Sequence, residues 1–235
     1  MLIEPLLSSL DDPIGLSQNQ ETLLRQQGWV VTRLFGKSDD DPADPQGILD
    51  KAMARFGTVL RMPRQTGPLR AKSRADAYAR SLSVQHGLGS LPLHTDTAHW
   101  LTPARYLGLL RTDSSSACVA TYLWDAEGLM CKMSDASSNG HEIFFVRNAA
   151  QSFYAAITSP TRGFVRLDAG CMIPRTARGR ALLDQFANPA AVSGVESVYL
   201  KRGEALIIDN WRVLHGRGSA EGDGASRLLM RGLST

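Results

Sequence analysis

The spacing of apolar residues along this chain changes character near residue 91. Before it, NQETLLRQQG (19–28) reads as a short helix stopped by Gly28. WVVTRLF (29–35), β-branched and aromatic, reads as a strand. ILDKAMARFG (48–57) carries apolar residues at helical spacing and ends on Gly57. Between them KSDDDPADPQG (37–47), polar and proline-bearing, is expected as a loop. Residues 61–90 are rich in Arg, Ser, Gly and Pro and show little periodicity. So long a stretch inside a compact domain is typically an active-site loop or lid.

Beyond residue 91 the runs become short and apolar or alternating: RYLGLLRT (105–112), ACVATYLWDA (117–126), HEIFFV (141–146), RGFVRLDA (162–169), ESVYLKRG (196–203), EALIIDNW (204–211) and SRLLMRGL (226–233). Gly, Pro, Asp or Ser separate most of them, and ARGRALLDQFAN (177–188) interrupts them as a helix. Closely spaced strands of this kind predict a β-sandwich or barrel, so the expected class is mainly β with flanking helices.

Composition narrows the partners. With 235 residues, 43% of them hydrophobic and 21% charged, the chain suits one sizeable core and is short for two, so 1–235 is expected to be a single domain. The net charge of +3 comes from scattered Lys and Arg, which does not point to nucleic acid. No apolar stretch is long enough to cross a membrane, and MLIEPLLSSLDDP carries acid where a signal peptide needs positive charge. A soluble, cytoplasmic chain is expected, with homo-oligomerisation left open. Cys118, Cys131 and Cys171 are odd in number and lack a CxxC pair, so reduced thiols are expected rather than a disulfide framework or structural zinc site.

The candidate chemistry begins in LPLHTDTAHW (91–100). His94 and Asp96 stand two apart, which on an extended segment puts an imidazole and a carboxylate on one face. An apolar strand in ALIIDNWRVLHGR (205–217) delivers His215 after a turn. Two histidines and one carboxylate with open coordination positions form the ligand set of non-haem Fe(II) oxygenases. An HxD tripeptide alone is common, and His86, His99 and His141 have no such support; on an extended chain His99 would face away from His94. Farther on, Arg227 and Arg231 lie an even number of residues apart in SRLLMR and would face one side of a strand. An arginine in a dry barrel can hold a carboxylate by a bidentate pair, although exposed arginines also simply solvate sheets.

In order, LPLHTD, the threonine and aspartate of TYLWD (121–125), RGFVRLDAGC (162–171), IIDNWRVLHGR (207–217) and RLLMR (227–231) resemble the taurine dioxygenase and clavaminate synthase-like superfamily, including its γ-butyrobetaine hydroxylase branch. The resemblance implies a double-stranded β-helix, or jelly roll. It implies Fe(II) bound by His94, Asp96 and His215, with 2-oxoglutarate as co-substrate and O2 as oxidant. Arg231 would anchor the distal carboxylate of 2-oxoglutarate, with Arg227 as supporting or alternative anchor and Thr121 as a further contact. SSSACVAT (114–121) stands where the family has Gly-Gly before that threonine.

The implied activity is hydroxylation of a small molecule, amino-acid-like or a natural-product intermediate, with release of succinate and CO2. Desaturation or cyclisation would use the same cofactors. Gln85 and His86 in the expected lid, Arg217, Trp100 and Trp211 are candidate pocket residues, each with an ordinary structural alternative. A zinc-dependent hydrolase and a non-catalytic jelly-roll binding module are the rival readings.

Overall fold

The computed structural model describes residues 16–36, 42–62, 65–79, 81–128, 142–147, 151–159 and 163–235. Cys131, His141 and the first part of the 37–47 loop lie outside them. In chain order the elements are α1 (Gln18–Gln27), β1 (Trp29–Arg33), α2 (Pro45–Met53), β2 (Val59–Leu60), β3 (Gly67–Arg70), α3 (Leu82–His86), β4 (Leu91–His94), β5 (Tyr106–Arg111) and β6 (Thr121–Asp125). There follow β7 (Ile143–Val146), β8 (Phe153–Ala156), β9 (Thr158–Ser159), β10 (Phe164–Val165), β11 (Met172–Pro174), α4 (Ala177–Gln185), β12 (Glu196–Val198), β13 (Glu204–Asp209), β14 (Val213–Arg217) and β15 (Leu228–Ser234). No helix among the described residues is long and apolar enough to cross a membrane.

The two N-terminal helices follow from their caps. Ser17 and Gln20 form a capping box at the start of α1. Gly28 ends it at φ 82°, and its N–H donates to the Leu24 carbonyl. At α2 the structure departs from the sequence reading, which kept 45–47 in a loop. Asp44 accepts from the Gly47 N–H at 2.8 Å and Pro45 occupies the first turn, where its missing N–H costs nothing.

A six-stranded antiparallel sheet runs β1-β13-β5-β15-β2, with β3 also paired to β15. A four-stranded antiparallel sheet runs β12-β6-β14-β4. Between them Leu107, Leu109, Leu206, Ile208, Leu229 and Leu233 of the larger sheet pack with Leu123 and Val213 of the smaller. The alternate residues Leu110, Ala205 and Ile207 meet Leu24, Leu49, Ala52 and Met53 of the helices. Both faces of β5 and β13 are therefore covered, which is why their sequences are nearly continuous apolar runs. Gly108 and Gly232 are cross-strand partners under α2, where a Cβ on Gly108 would stand 2.6 Å from Met53 Sδ.

Other boundaries shift. The 162–169 run pairs with β9 only at Phe164 and Val165. β8 and β11, which the sequence reading passed over, flank β7 in a three-stranded sheet. The expected lid is less open than its composition implied: β3 hydrogen-bonds to β15, and α3 leads directly into β4.

Candidate active site

β4 and β14 are antiparallel neighbours, and their register sets His94 directly opposite His215. The two rings lie 4.3 Å apart between centroids, at 46°. The His94 Nδ1–H donates to the Pro92 carbonyl at 2.9 Å, since a carbonyl can only accept, and this leaves the Nε2 lone pair available. His215 is buried, and its Nδ1 has no hydrogen-bond partner. Burial and the adjacent His94 pull its pKa down to about 3, against the opposing pull of Asp96, so the imidazole is neutral at physiological pH.

Asp96 is not on the strand. β4 ends at His94, and Asp96 opens a turn in which Thr97 adopts φ 57°. Asn210 fixes this turn: its Oδ1 accepts the Asp96 N–H at 2.8 Å, and its Nδ2 donates to the carbonyls of Asp96 at 3.1 Å and Ala104 at 2.7 Å. Buried Arg166 secures the next residues by donating to the carbonyls of Ala98, Trp100 and Leu101. The Asp96 carboxylate accepts from the Thr97 N–H at 3.0 Å and from Arg231 Nη1 at 3.2 Å. Burial alone would raise its pKa, but Arg231, both histidines and the Thr97 N–H together hold it below the usual carboxylate value.

As the side chains stand, no group of three His, Cys, Asp or Glu among the described residues is arranged to hold a metal ion. Asp96 is engaged by Arg231 instead. The donor set nevertheless suits Fe(II): two imidazoles, one with a free Nε2 and one neutral through burial, share a wall with an ionised carboxylate.

All six residues nominated from the sequence, His94, Asp96, His215, Thr121, Arg227 and Arg231, line one cavity of about 410 Å³. Thr121 is buried there, and its hydroxyl has no partner. Arg227 precedes β15 rather than lying within it; its Nη1 donates to the Val119 carbonyl at 2.6 Å. Burial, then Arg217 and Arg111, lower its pKa to about 10, which still leaves it charged near neutrality.

Several nominations need correction. His99, expected to face away, lines the cavity because the chain turns after Thr95, and it lies 3.3 Å from Gln65 Nε2. Gln85 and His86 do not line it; Ser81, Leu82 and Ser83 of the same segment do. Trp100 and Trp211 are wall-builders elsewhere: Trp100 packs against the inter-sheet core and Trp211 donates to the Pro103 carbonyl at 2.9 Å. Arg217 does line the cavity, with its guanidinium donating to the carbonyls of Gly87 and Gly89. Gln65 and Asp168 were missed. Asp168 lay within a quoted motif, RGFVRLDAGC, but nothing local marks its carboxylate as facing a cavity.

No protein-family model matches the chain, and no curated protein matches it. Solved structures do. An asparagine oxygenase in complex with Fe(II), 2S,3S-3-hydroxyasparagine and succinate superposes with a TM-score of 0.67 at 15% identity, over 92% of this chain and 78% of that one. The chain has the fold of a non-haem iron oxygenase. A substituted form of the oxygenase OrfP, in complex with (3S)-hydroxy-L-Arg, gives 0.63 at 19% identity over 92% and 78% of the two chains. OrfP with Fe and α-ketoglutaric acid gives 0.61 at 19% over 92% and 77%. Within this oxygenase fold the His94–His215 pair sits on the smaller sheet, and the two arginines border the larger.

Proposed function

We propose that this chain is a single-domain Fe(II)- and 2-oxoglutarate-dependent oxygenase, built on a jelly-roll core, that hydroxylates an α-amino acid. The observation that carries the reading is the cross-strand His94–His215 pair beside Asp96, in one cavity with Thr121 and Arg227. His94, Asp96 and His215 would hold the metal. The chemistry supplied by bound Fe(II) is O2 activation coupled to oxidative decarboxylation of 2-oxoglutarate to succinate and CO2, with one oxygen atom going to the substrate.

The remaining roles belong to the chain's own groups. Arg231 bonds Asp96 Oδ2 and so borders the metal face, whereas Arg227 lies four extended residues, ~13 Å, earlier in the chain. A co-substrate chelated through its keto-acid end needs a cation at its far end, which favours Arg227 over Arg231 as the distal anchor. The unpartnered Thr121 hydroxyl supplies a donor to the same carboxylate.

The amino-acid reading rests on acceptors. The Gln65 Oε1 is buried without a partner, and Asp168 lines the cavity with no described basic residue within 4.0 Å. Burial raises the Asp168 pKa, so an incoming ammonium would be favoured as its counter-ion. Arg231, which lines the cavity beside Asp96, would take the substrate carboxylate, and the asparagine oxygenase and OrfP complexes contain hydroxylated α-amino acids. Anaerobic addition of Fe(II) and 2-oxoglutarate should produce a weak visible charge-transfer band, and air should then yield succinate. A folded protein that gives neither would overturn the oxygenase reading, and activity with zinc but without 2-oxoglutarate would establish the hydrolase instead.

A further inference from the structure

Resting on that reading, we infer that the substrate is an amino acid with an anionic side chain, and that Lys72 is the residue that selects it. Five cationic side chains line the cavity, Arg70, Lys72, Arg217, Arg227 and Arg231, against two carboxylates, Asp96 and Asp168. A divalent metal and a dianionic co-substrate cancel one another, so the excess of three positive charges persists in the loaded site. A neutral zwitterion leaves that excess unchanged, and a substrate with a cationic side chain, such as arginine, increases it. A side-chain carboxylate reduces it, and in a partly enclosed cavity such charge matching is weakly screened.

The five cations are not equivalent. Arg217 donates to the backbone carbonyls of Gly87 and Gly89 and Arg70 to that of Ser226, while Arg227, held by one nitrogen on the Val119 carbonyl, is assigned to 2-oxoglutarate. Arg231 is paired with Asp96. Lys72 is half-buried on the cavity wall, with its ammonium 4.0 Å from the centroid of the Tyr78 ring and no hydrogen bond or ion pair to a described residue. Its donors are therefore uncommitted, and the aromatic face beneath holds the charge in place without neutralising it. Lys72 follows β3 by two residues; the adjacent end of β3 is pinned to β15 by the pairing of Arg70 with Leu228, and its other end, Gly67, faces Arg231. That anchoring puts the uncommitted ammonium on a braced segment rather than on a free loop. With the substrate's own ammonium at Asp168 and its α-carboxylate at Arg231, the side-chain carboxylate would meet Lys72.

The test uses the full chain loaded anaerobically with Fe(II) and 2-oxoglutarate, titrated with L-aspartate, L-glutamate, L-asparagine and L-arginine. Perturbation of the charge-transfer band reports binding, and succinate release in air reports turnover. L-Aspartate or L-glutamate should bind at least about tenfold more tightly than L-asparagine, as expected for one charge-assisted contact. Lys72→Met should raise KM for the acidic substrate about tenfold with a smaller change in kcat, and Lys72→Glu should turn the preference toward L-arginine. Tighter binding of L-asparagine or L-arginine by the unaltered chain, or an unchanged preference in both variants, would overturn the inference while the band itself still supports the oxygenase. Absence of the band would remove the proposed function and this inference together.

Discussion

Asn210 grips the backbone of Asp96 from both sides, accepting its N–H at 2.8 Å and donating to its carbonyl at 3.1 Å. The side chain thus acts as a strand partner for a residue that has left the sheet, and it ties the turn carrying one candidate metal ligand to the end of β13. Asn210→Ala would leave the Asp96 N–H and the Asp96 and Ala104 carbonyls without their partner. We expect a loss of about 2–4 kcal/mol in denaturant unfolding, together with weaker Fe(II) binding in anaerobic titration. Asn210→Asp should not restore either property, because a carboxylate accepts the N–H but cannot donate to the two carbonyls.

The two arginines should separate kinetically. Arg227→Ala is expected to raise the KM for 2-oxoglutarate about tenfold to a hundredfold, with Arg227→Lys falling between because it keeps the charge and loses the planar fork. Arg231→Ala is expected to act mainly on the KM of the amino-acid substrate. Succinate release measured while varying each reactant separately distinguishes them; the opposite assignment follows if only Arg231→Ala alters the 2-oxoglutarate requirement.

Asp168→Asn removes the carboxylate proposed to receive the substrate ammonium and keeps its shape. The expected outcome is a rise in substrate KM of about tenfold or more, with the 2-oxoglutarate charge-transfer band retained. An unchanged KM would exclude Asp168 from substrate binding.

Asp113 joins the end of β5 to the start of β15, close to Arg227 in space though distant in sequence. Its carboxylate accepts from the Ser115 hydroxyl, from the Leu228 N–H at 2.7 Å and from Arg111 at 3.2 Å. Burial opposes ionisation, but these three donors outweigh it and lower the pKa. A depressed folded pKa means that the stabilisation is present above the unfolded value of about 3.9 and is lost as pH falls through the lower, folded one. Asp113→Asn should therefore be less stable than the parent chain at neutral pH, and the difference should shrink below about pH 3.9. Unfolding curves recorded across pH 2–7 on the order of one unit apart would show it.

Gly108→Ala should destabilise the fold even though alanine ordinarily suits a strand better than glycine. The added methyl would stand 2.6 Å from Met53 Sδ and 3.0 Å from Leu49 Cδ1. We expect a loss of about 1–3 kcal/mol in denaturant unfolding, partly recovered by shortening Met53 in the double variant.

The β-rich architecture, the Gly28 stop of α1 and the six residues that come to share one cavity could be picked out because each rests on local pattern or on a short motif. Alternation and apolar runs report burial within a strand, and Gly28 reports a helix end, wherever the rest of the chain lies. What could not be read were relationships across the fold. The facing of His99 follows from a turn that Asn210 and Arg166 hold from distant segments, so the extended-chain argument failed there. Gln65 and Asp168 look like ordinary polar residues until β3 and the β10–β11 connection bring them to the cavity. The preference between Arg227 and Arg231 changed because Arg231 is bonded to Asp96, far away in sequence.

By itself, then, the sequence determined which donors the chain possesses and the alternation that drives it into sheets. The tertiary structure decided which donors meet, because cross-strand register and buried side-chain hydrogen bonds, rather than spacing along the chain, set the distances between groups.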